Sequence, residues 1–555
     1  METNNRSGDS QGDDSATPIR VGERERVPRE FFEARSATVD NRERREAIGE
    51  GLPRQPQIED EAVNPMAFEQ AERLRRSRKP IDLKYKELMG DFTELAASMK
   101  QAVKKYEDSR RTERCGEIFD AFKERIGDKA GEAVKLLLER KPGFIDRTKF
   151  RGQNKVGVGL LKADNRNKDK KLNDALKNCE FKKALNVIED KAPVNVIDGH
   201  VIGLLKSKYP HDPTVTIPTA ERSLYIPKMI DLRDVLRKKK ASKHGHSGLT
   251  YGEIKAICKS EALANNVLDL VTLILNGWIN GDGKQGIKTG RGIVLAKAWS
   301  GEERRSEVKD VRPINAVEAY LSLADGLIYE EMKEKCIELA GENQMGLKPR
   351  GNQQLAIMMQ VWFDAMQAKD PLDEDTIDCL VMASLDLRNA FNALCRTLIL
   401  EFIQEHFPTL VGYFGWLYGD GFDVVFGEEK IRSEMGVSQG SPSSALLFDA
   451  VLGIALSEVI KRFEDEGKLR IMLCHDGLFV MGRGSEVLKF KDLLEGQSER
   501  DPVRILPKGL AFNTTKCEVL CVVPGGCLAA GFNEGGWRIM EEGGMMVAGI
   551  PVGTN

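Results

Sequence analysis

The chain has 555 residues, 41% of them hydrophobic and 30% charged, which is enough apolar side chain for a sizeable core spread over more than one domain. A formal net charge of −3 excludes a uniformly basic nucleic-acid coat, so any surface for polyanions has to arise from local clustering. Ten cysteines without a Cys-x-x-Cys pair exclude a zinc ribbon and a secreted disulfide framework, and no run of about 18 apolar residues offers a membrane span.

Residues 1–66 are rich in Asp, Glu, Arg, Ser and Pro and poor in aliphatics, and are expected to form a disordered tail. From about 67 to 140 apolar residues recur at helical spacing, through Leu88, Phe92, Leu95, Met99 and Val103 and then Ile118, Phe119, Phe122 and Ile126. This predicts a pair of helices, stopped by Lys141-Pro142-Gly143. Basic residues then cluster at Arg147, Lys149, Arg151, Lys155, Lys168, Lys170, Lys171, Lys182 and Lys183. Residues 67–244 thus read as a helical, basic N-terminal extension, either a solvated face or a track along a phosphate backbone. Arg237-Lys238-Lys239-Lys240 also suits a nuclear import signal, so the nucleus is the expected location, with the cytoplasm as the alternative.

Beyond residue 245 short β-like runs alternate with helices, an α+β composition. Val381–Leu385 and Ile471–Cys474 read as buried strands and Ser443–Glu464 as a long helix. The first strand delivers Asp386 to its C-terminal end, where Asp is commonly only a helix cap. Cys474-His475-Asp476-Gly477 separates two apolar runs and reads as a hairpin tip, on the plain reading a type I′ turn. Between the two lies Gly436-Val-Ser-Gln439-Gly440-Ser-Pro442, a helix start with Ser441 or Ser443 as cap and Gln439 on a glycine-flanked approach. Taken singly these are a cap, a turn and a helix start. Taken in order they set two carboxylates on separate strand ends with a backbone-accessible loop between, the requirement of two-metal nucleotidyl transfer. Cys517, Cys521 and Cys527 fall in an apolar run without a partnering His and read as buried thiols.

In this order the segments resemble the palm of reverse transcriptases, in particular those of non-LTR retrotransposons carrying a restriction-like endonuclease. The resemblance runs over residues 245–555. Gly245-His-Ser-Gly-Leu-Thr250 is similar to the family's lead into the fingers, and Lys297 ahead of Val311-Arg312-Pro-Ile314 to its lysine and Arg-Pro-Ile strand. Gln344-Met-Gly346 with Gly351, Phe512-Asn513 with Lys516, and Gly549-Ile-Pro-Val-Gly553 resemble its Gln-x-Gly, Asn-x-x-Lys and primer-grip elements. The resemblance implies right-hand polymerase fingers and palm with an antiparallel palm sheet. The thumb is expected to be absent or truncated.

It further implies Mg²⁺, for which Mn²⁺ can substitute, held by Asp386 and Asp476, with Lys516 assisting the leaving group. Lys297 and Arg312 would approach nucleotide phosphates, together with the backbone at Asn389 and Ala390. Phe391 takes the place of the aromatic gate against ribose, and Gln439 and Gly440 approach the base pair. The implied partners are an RNA template, a DNA primer or target and deoxynucleoside triphosphates, with no membrane. One departure divides the reading: the family's third block ends in two aspartates, and here Gly477 follows Asp476. The chain is then either a degenerate RNA-directed DNA polymerase or a catalytically inactive, reverse-transcriptase-like nucleic-acid-binding protein. An RNA-virus polymerase shares the palm plan, but Phe391 argues against it. His475 is expected to be a surface substitution.

Overall fold

The computed structural model describes residues 83–109, 113–139, 197–212, 214–219, 222–239, 245–299, 308–367, 378–498, 502–522, 530–540 and 543–553. The expected tail at 1–66, the Lys141-Pro142-Gly143 stop, the basic residues from Arg147 to Lys183, Lys240 and Cys527 lie outside the described residues.

The expected helix pair spans Leu83–Asp108 and Glu113–Glu139. Leu88, Phe92, Met99, Val103, Phe119 and Ile126 are buried as their spacing requires. Ile118 and Phe122 are not: one turn apart on the flank of the stripe, they wall an open groove between the two helices.

Eleven strands follow among the described residues: β1 (Gly290–Trp299), β2 (Val308–Ala316), β3 (Leu380–Asp386), β4 (Phe422–Phe426), β5 (Glu429–Ser433), β6 (Leu469–Cys474), β7 (Gly477–Arg483), β8 (Glu518–Cys521), β9 (Arg538–Ile539), β10 (Gly544–Val547) and β11 (Ile550–Gly553). They form a sheet in the order β2-β1-β4-β5, a five-stranded sheet in the order β6-β7-β3-β8-β9, and the hairpin β10-β11. The fold is α+β. The central sheet departs from the expected antiparallel pattern at its edge, where β9 pairs parallel to β8.

β3 sits between β7 and β8, and its side chains alternate between two cores. Val381, Ala383 and Leu385 join Phe448 and Leu452 of the Ser444–Asp465 helix, while Met382 packs with Met359 and Phe363 of the Gly351–Gln367 helix. The period of two therefore sends Ser384 and Asp386 to the second face. β6 and β7 pair from Leu469↔Gly482 to Cys474↔Gly477, which leaves His475 and Asp476 as the hairpin tip. Only His475 takes positive φ, 55°, whereas the expected type I′ turn needs it at both central residues. The Asp-Gly signal was thus displaced by one residue: Gly477 is already a strand residue, opposite Asp386.

No helix among the described residues is long and apolar enough to cross a membrane.

Candidate functional site

The first carboxylate is placed by strand pairing. Asp386 ends β3 opposite Gly477, and Leu387 N donates to Asp476 O over 3.2 Å, so Asp386 and Asp476 stand at the same end of two adjacent strands. Both line a cavity of about 720 Å³. Asn513 N donates to Asp386 O at 2.8 Å, and Asn513 Nδ2 donates to Asp386 Oδ2 at 3.4 Å. The turn that follows, Thr514–Lys516, brings Lys516 to the same cavity.

Asp386 caps no helix. The N-cap of the short Ala390–Ala393 helix is Asn389, in the left-handed region at φ 50°, a conformation Asn tolerates better than most residues. Its side chain makes no cap bond; Nδ2 donates to Lys208 O at 2.7 Å instead. Phe391 is stacked on Phe448 with ring centroids 4.6 Å apart and planes 18° from parallel, which fixes its ring at the cavity wall.

The glycine-flanked loop is held from below. Asn315 N donates to Gln439 O and Asn315 Nδ2 to Ser438 Oγ, both at 2.8 Å. The fully buried Asp325 accepts four bonds: from Ser441 Oγ at 2.7 Å, Ser443 N at 2.8 Å, Ser443 Oγ at 2.6 Å and Tyr413 Oη at 3.3 Å. Ser443 is the helix N-cap by position, but its hydroxyl serves Asp325 and makes no cap bond, and Pro442 precedes it. Gly440 has φ 141°, and a Cβ there would stand 2.0 Å from Asn315 O, so only glycine lets the loop lie this close to the end of β2.

Nine of the ten residues singled out from the sequence line this one cavity: Arg312, Asp386, Asn389, Ala390, Phe391, Gln439, Gly440, Asp476 and Lys516. Lys297 lies on β1 at a register shift between Ala296 and Ala298, opposite the Asp310–Val311 step of β2; its side chain lies outside what is described. Sequence reasoning missed Lys208, Asp310 and Arg388 in the same wall. It also misread His475. Its side chain is only 36% exposed, and its Nδ1 lies 2.8 Å from Oδ2 of Asp449, which is fully buried on the Ser444–Asp465 helix. Burial raises the Asp449 pKa; His475 opposes that rise and the nearby Asp476 charge adds to it.

Four cations, Lys208, Arg312, Arg388 and Lys516, and three carboxylates, Asp310, Asp386 and Asp476, line the cavity. Asp386 and Asp476 are the two carboxylates that would hold a hard cation together with waters and substrate phosphates; Gly477 adds no third beside them, and Asp449 is bonded to His475. Among the described residues no group of three or more His, Cys, Asp or Glu is gathered to hold a metal, which extends to Cys517 and Cys521.

No family model and no curated protein matches the chain. Solved structures give remote likenesses to telomerase. One is apo telomerase from Candida tropicalis, 12% identical with a TM-score of 0.33, over 59% of this chain and 64% of that one. A form of the same enzyme truncated from the C-terminal domain gives 13% identity and a TM-score of 0.30, over 48% and 53%. Telomerase from Candida albicans in complex with a fragment of telomeric RNA gives 9% and 0.31, over 48% and 45%. This chain thus spans from under half to just under two thirds of the telomerase chains it aligns with.

Proposed function

We propose that the chain is a reverse-transcriptase-like nucleic-acid-binding protein, of the non-LTR retrotransposon type, whose cavity receives phosphates and a polynucleotide end without sustained polymerase chemistry. Fingers would correspond to the β1–β2 hairpin with its neighbours, and the palm to the five-stranded sheet. The observation that carries this reading is Gly477, which stands opposite Asp386 where the family pattern has an aspartate. The cavity's cations and loop would position a nucleic acid, while one carboxylate fewer than the family pattern would weaken the negative field that holds paired magnesium ions. Arg312, Arg388 and Lys516 would contact phosphates, Phe391 would meet a sugar, and Gln439 would approach a base pair. A nuclear location follows from that class of partner.

One observation favours the second reading, an RNA-directed DNA polymerase of low turnover: Asp386 and Asp476 remain adjacent across β3 and β7. The two readings separate in one experiment with the full chain, a DNA primer annealed to an RNA template, deoxynucleoside triphosphates, and Mg²⁺ or Mn²⁺. The expected result is duplex binding without primer extension, unchanged in Asp386→Ala. Extension that Asp386→Ala abolishes would transfer the conclusion to the polymerase, and a wild-type chain that binds no duplex would remove both.

A further inference from the structure

Asp310 faces the cavity from β2, two residues before Arg312 and therefore on the same side of the strand. Two lysines from distant segments engage its carboxylate. Lys208 Nζ lies 2.6 Å from Oδ1 and Lys516 Nζ 3.5 Å from Oδ2, while Val311 N donates to Oδ1 at 2.9 Å. Each lysine is brought there by bonds of its own backbone. Lys208 O accepts Asn389 Nδ2, and the Gly199–Lys206 helix just before it packs on β2, where His200 Nε2 lies 2.8 Å from Val308 O. Lys516 N donates to Asn513 O, and Asn513 is itself bonded to Asp386.

A carboxylate bridging two ammonium groups has the charge and acceptor geometry that a phosphate oxygen would present to the same pair. The bridge is partly exposed, with side-chain exposures of 22% for Lys208, 23% for Asp310 and 49% for Lys516. Such pairs contribute little to folding, so an incoming anion of higher charge can exchange with the carboxylate. The cavity volume of about 720 Å³ suits one nucleotide-sized ligand.

We infer that Asp310 is an internal stand-in for phosphate: Lys208 and Lys516 form an anion subsite that the triphosphate tail of a nucleotide occupies by displacing Asp310. This rests on the reading of the cavity as one that receives nucleotides and nucleic acid. It makes Lys208 a phosphate ligand and Asp310 its competitor.

The two roles give substitutions of opposite sign. With the full chain, calorimetric titration of inorganic tripolyphosphate and of a deoxynucleoside triphosphate should show Asp310→Asn binding on the order of two- to fivefold tighter than wild type, and Lys208→Met weaker by a similar factor. Asp310→Asn is nearly isosteric and Lys208→Met keeps the aliphatic stem, and a thermal melt of each establishes that it is folded. If the bridge were only structural, both variants would weaken binding together, and that result overturns the inference. So does an unchanged affinity in both, or the absence of tripolyphosphate binding in all three proteins. A single-stranded RNA is the second arm: opposite-signed effects on RNA alone would mean that the lysines read a backbone phosphate, which also overturns the nucleotide assignment. Primer–template duplex binding by wild type is scored separately. Its loss would strike the broader reading, whereas a failed sign test with duplex binding intact would strike only the role of Asp310.

Discussion

A side chain at position 477 would emerge on the face of the sheet that carries Asp386, because the two residues are paired across β3 and β7. Its Cβ would stand 3.2 Å from Phe479 Cε2 and 3.6 Å from Cys474 O, so the Phe479 ring has to yield by a few tenths of an ångström. Gly477→Asp should therefore cost about 1 kcal/mol or slightly more in stability while adding a hard oxygen ligand beside Asp386. The expected outcome is tighter Mg²⁺ binding by calorimetry with a small fall in Tm. An unchanged magnesium affinity in a folded variant would show that the missing carboxylate is not what limits the site. His475 makes a different prediction. Burial raises the pKa of Asp449, so the folded chain keeps that proton longer than the unfolded chain, and the associated stability is present at low pH and lost as pH rises through the raised value. His475 limits that loss. His475→Ala should accordingly cost little at pH low enough to protonate Asp449, and about 3 kcal/mol at pH high enough to ionise it, where a buried carboxylate would be left without its partner. Thermal unfolding of both proteins across that range measures the difference; a gap independent of pH would mean that the bond to Asp449 does not stabilise its charge.

Elements with a strong period were legible from the chain, and the contacts that join them were not. Val381–Leu385 and Ser443–Glu464 match β3 and the Ser444–Asp465 helix within a residue or two, since alternation and helical spacing are local properties. The hairpin and its tip within Cys474–Gly477 were legible; only the place of Asp-Gly in the turn differs, since Gly477 already pairs with Cys474 and Asp386. Lys208 escaped notice because nothing near it in sequence marks it; a carbonyl bond from Asn389, 181 residues later, brings it to the cavity. Asp325 is the same kind of case, an acid in the apolar first half of the Ala319–Ala340 helix that turns out to hold the loop bearing Gln439. Removing it should strand the Ser443 N–H and the buried hydroxyls of Ser443 and Tyr413, and release Ser441 at the cavity wall. Asp325→Ala is expected to lower stability by about 3 kcal/mol or more, with Asp325→Asn milder. It should also speed hydrogen exchange at residues 438–443 beyond the general change. Exchange that rises uniformly over the whole chain would mean that Asp325 supports the core without positioning the loop.

For the whole molecule the decisive quantity is where charge lies, since the sum of −3 opposes contact with polyanions at long range. Within the cavity the balance is reversed, with four cations against three carboxylates and Arg312, Arg388 and Lys516 reaching the surface. On the proposed reading, a nucleic acid would be held by a short stretch of backbone contacts at this cavity. Such binding releases few counterions. If Arg312 and Arg388, the two cavity cations outside the anion subsite, meet backbone phosphates, the logarithm of the affinity for single-stranded RNA should fall against the logarithm of salt concentration with a slope of about −1.4, at roughly 0.7 per phosphate. Arg312→Ala should lower the magnitude of that slope by about 0.7 and weaken binding equally for unrelated sequences, because a phosphate contact carries no base information. Fluorescence anisotropy over a salt series reads both quantities. A much steeper wild-type slope that Arg312→Ala leaves intact would place the polynucleotide on a different, more basic part of the chain and take it out of the cavity altogether.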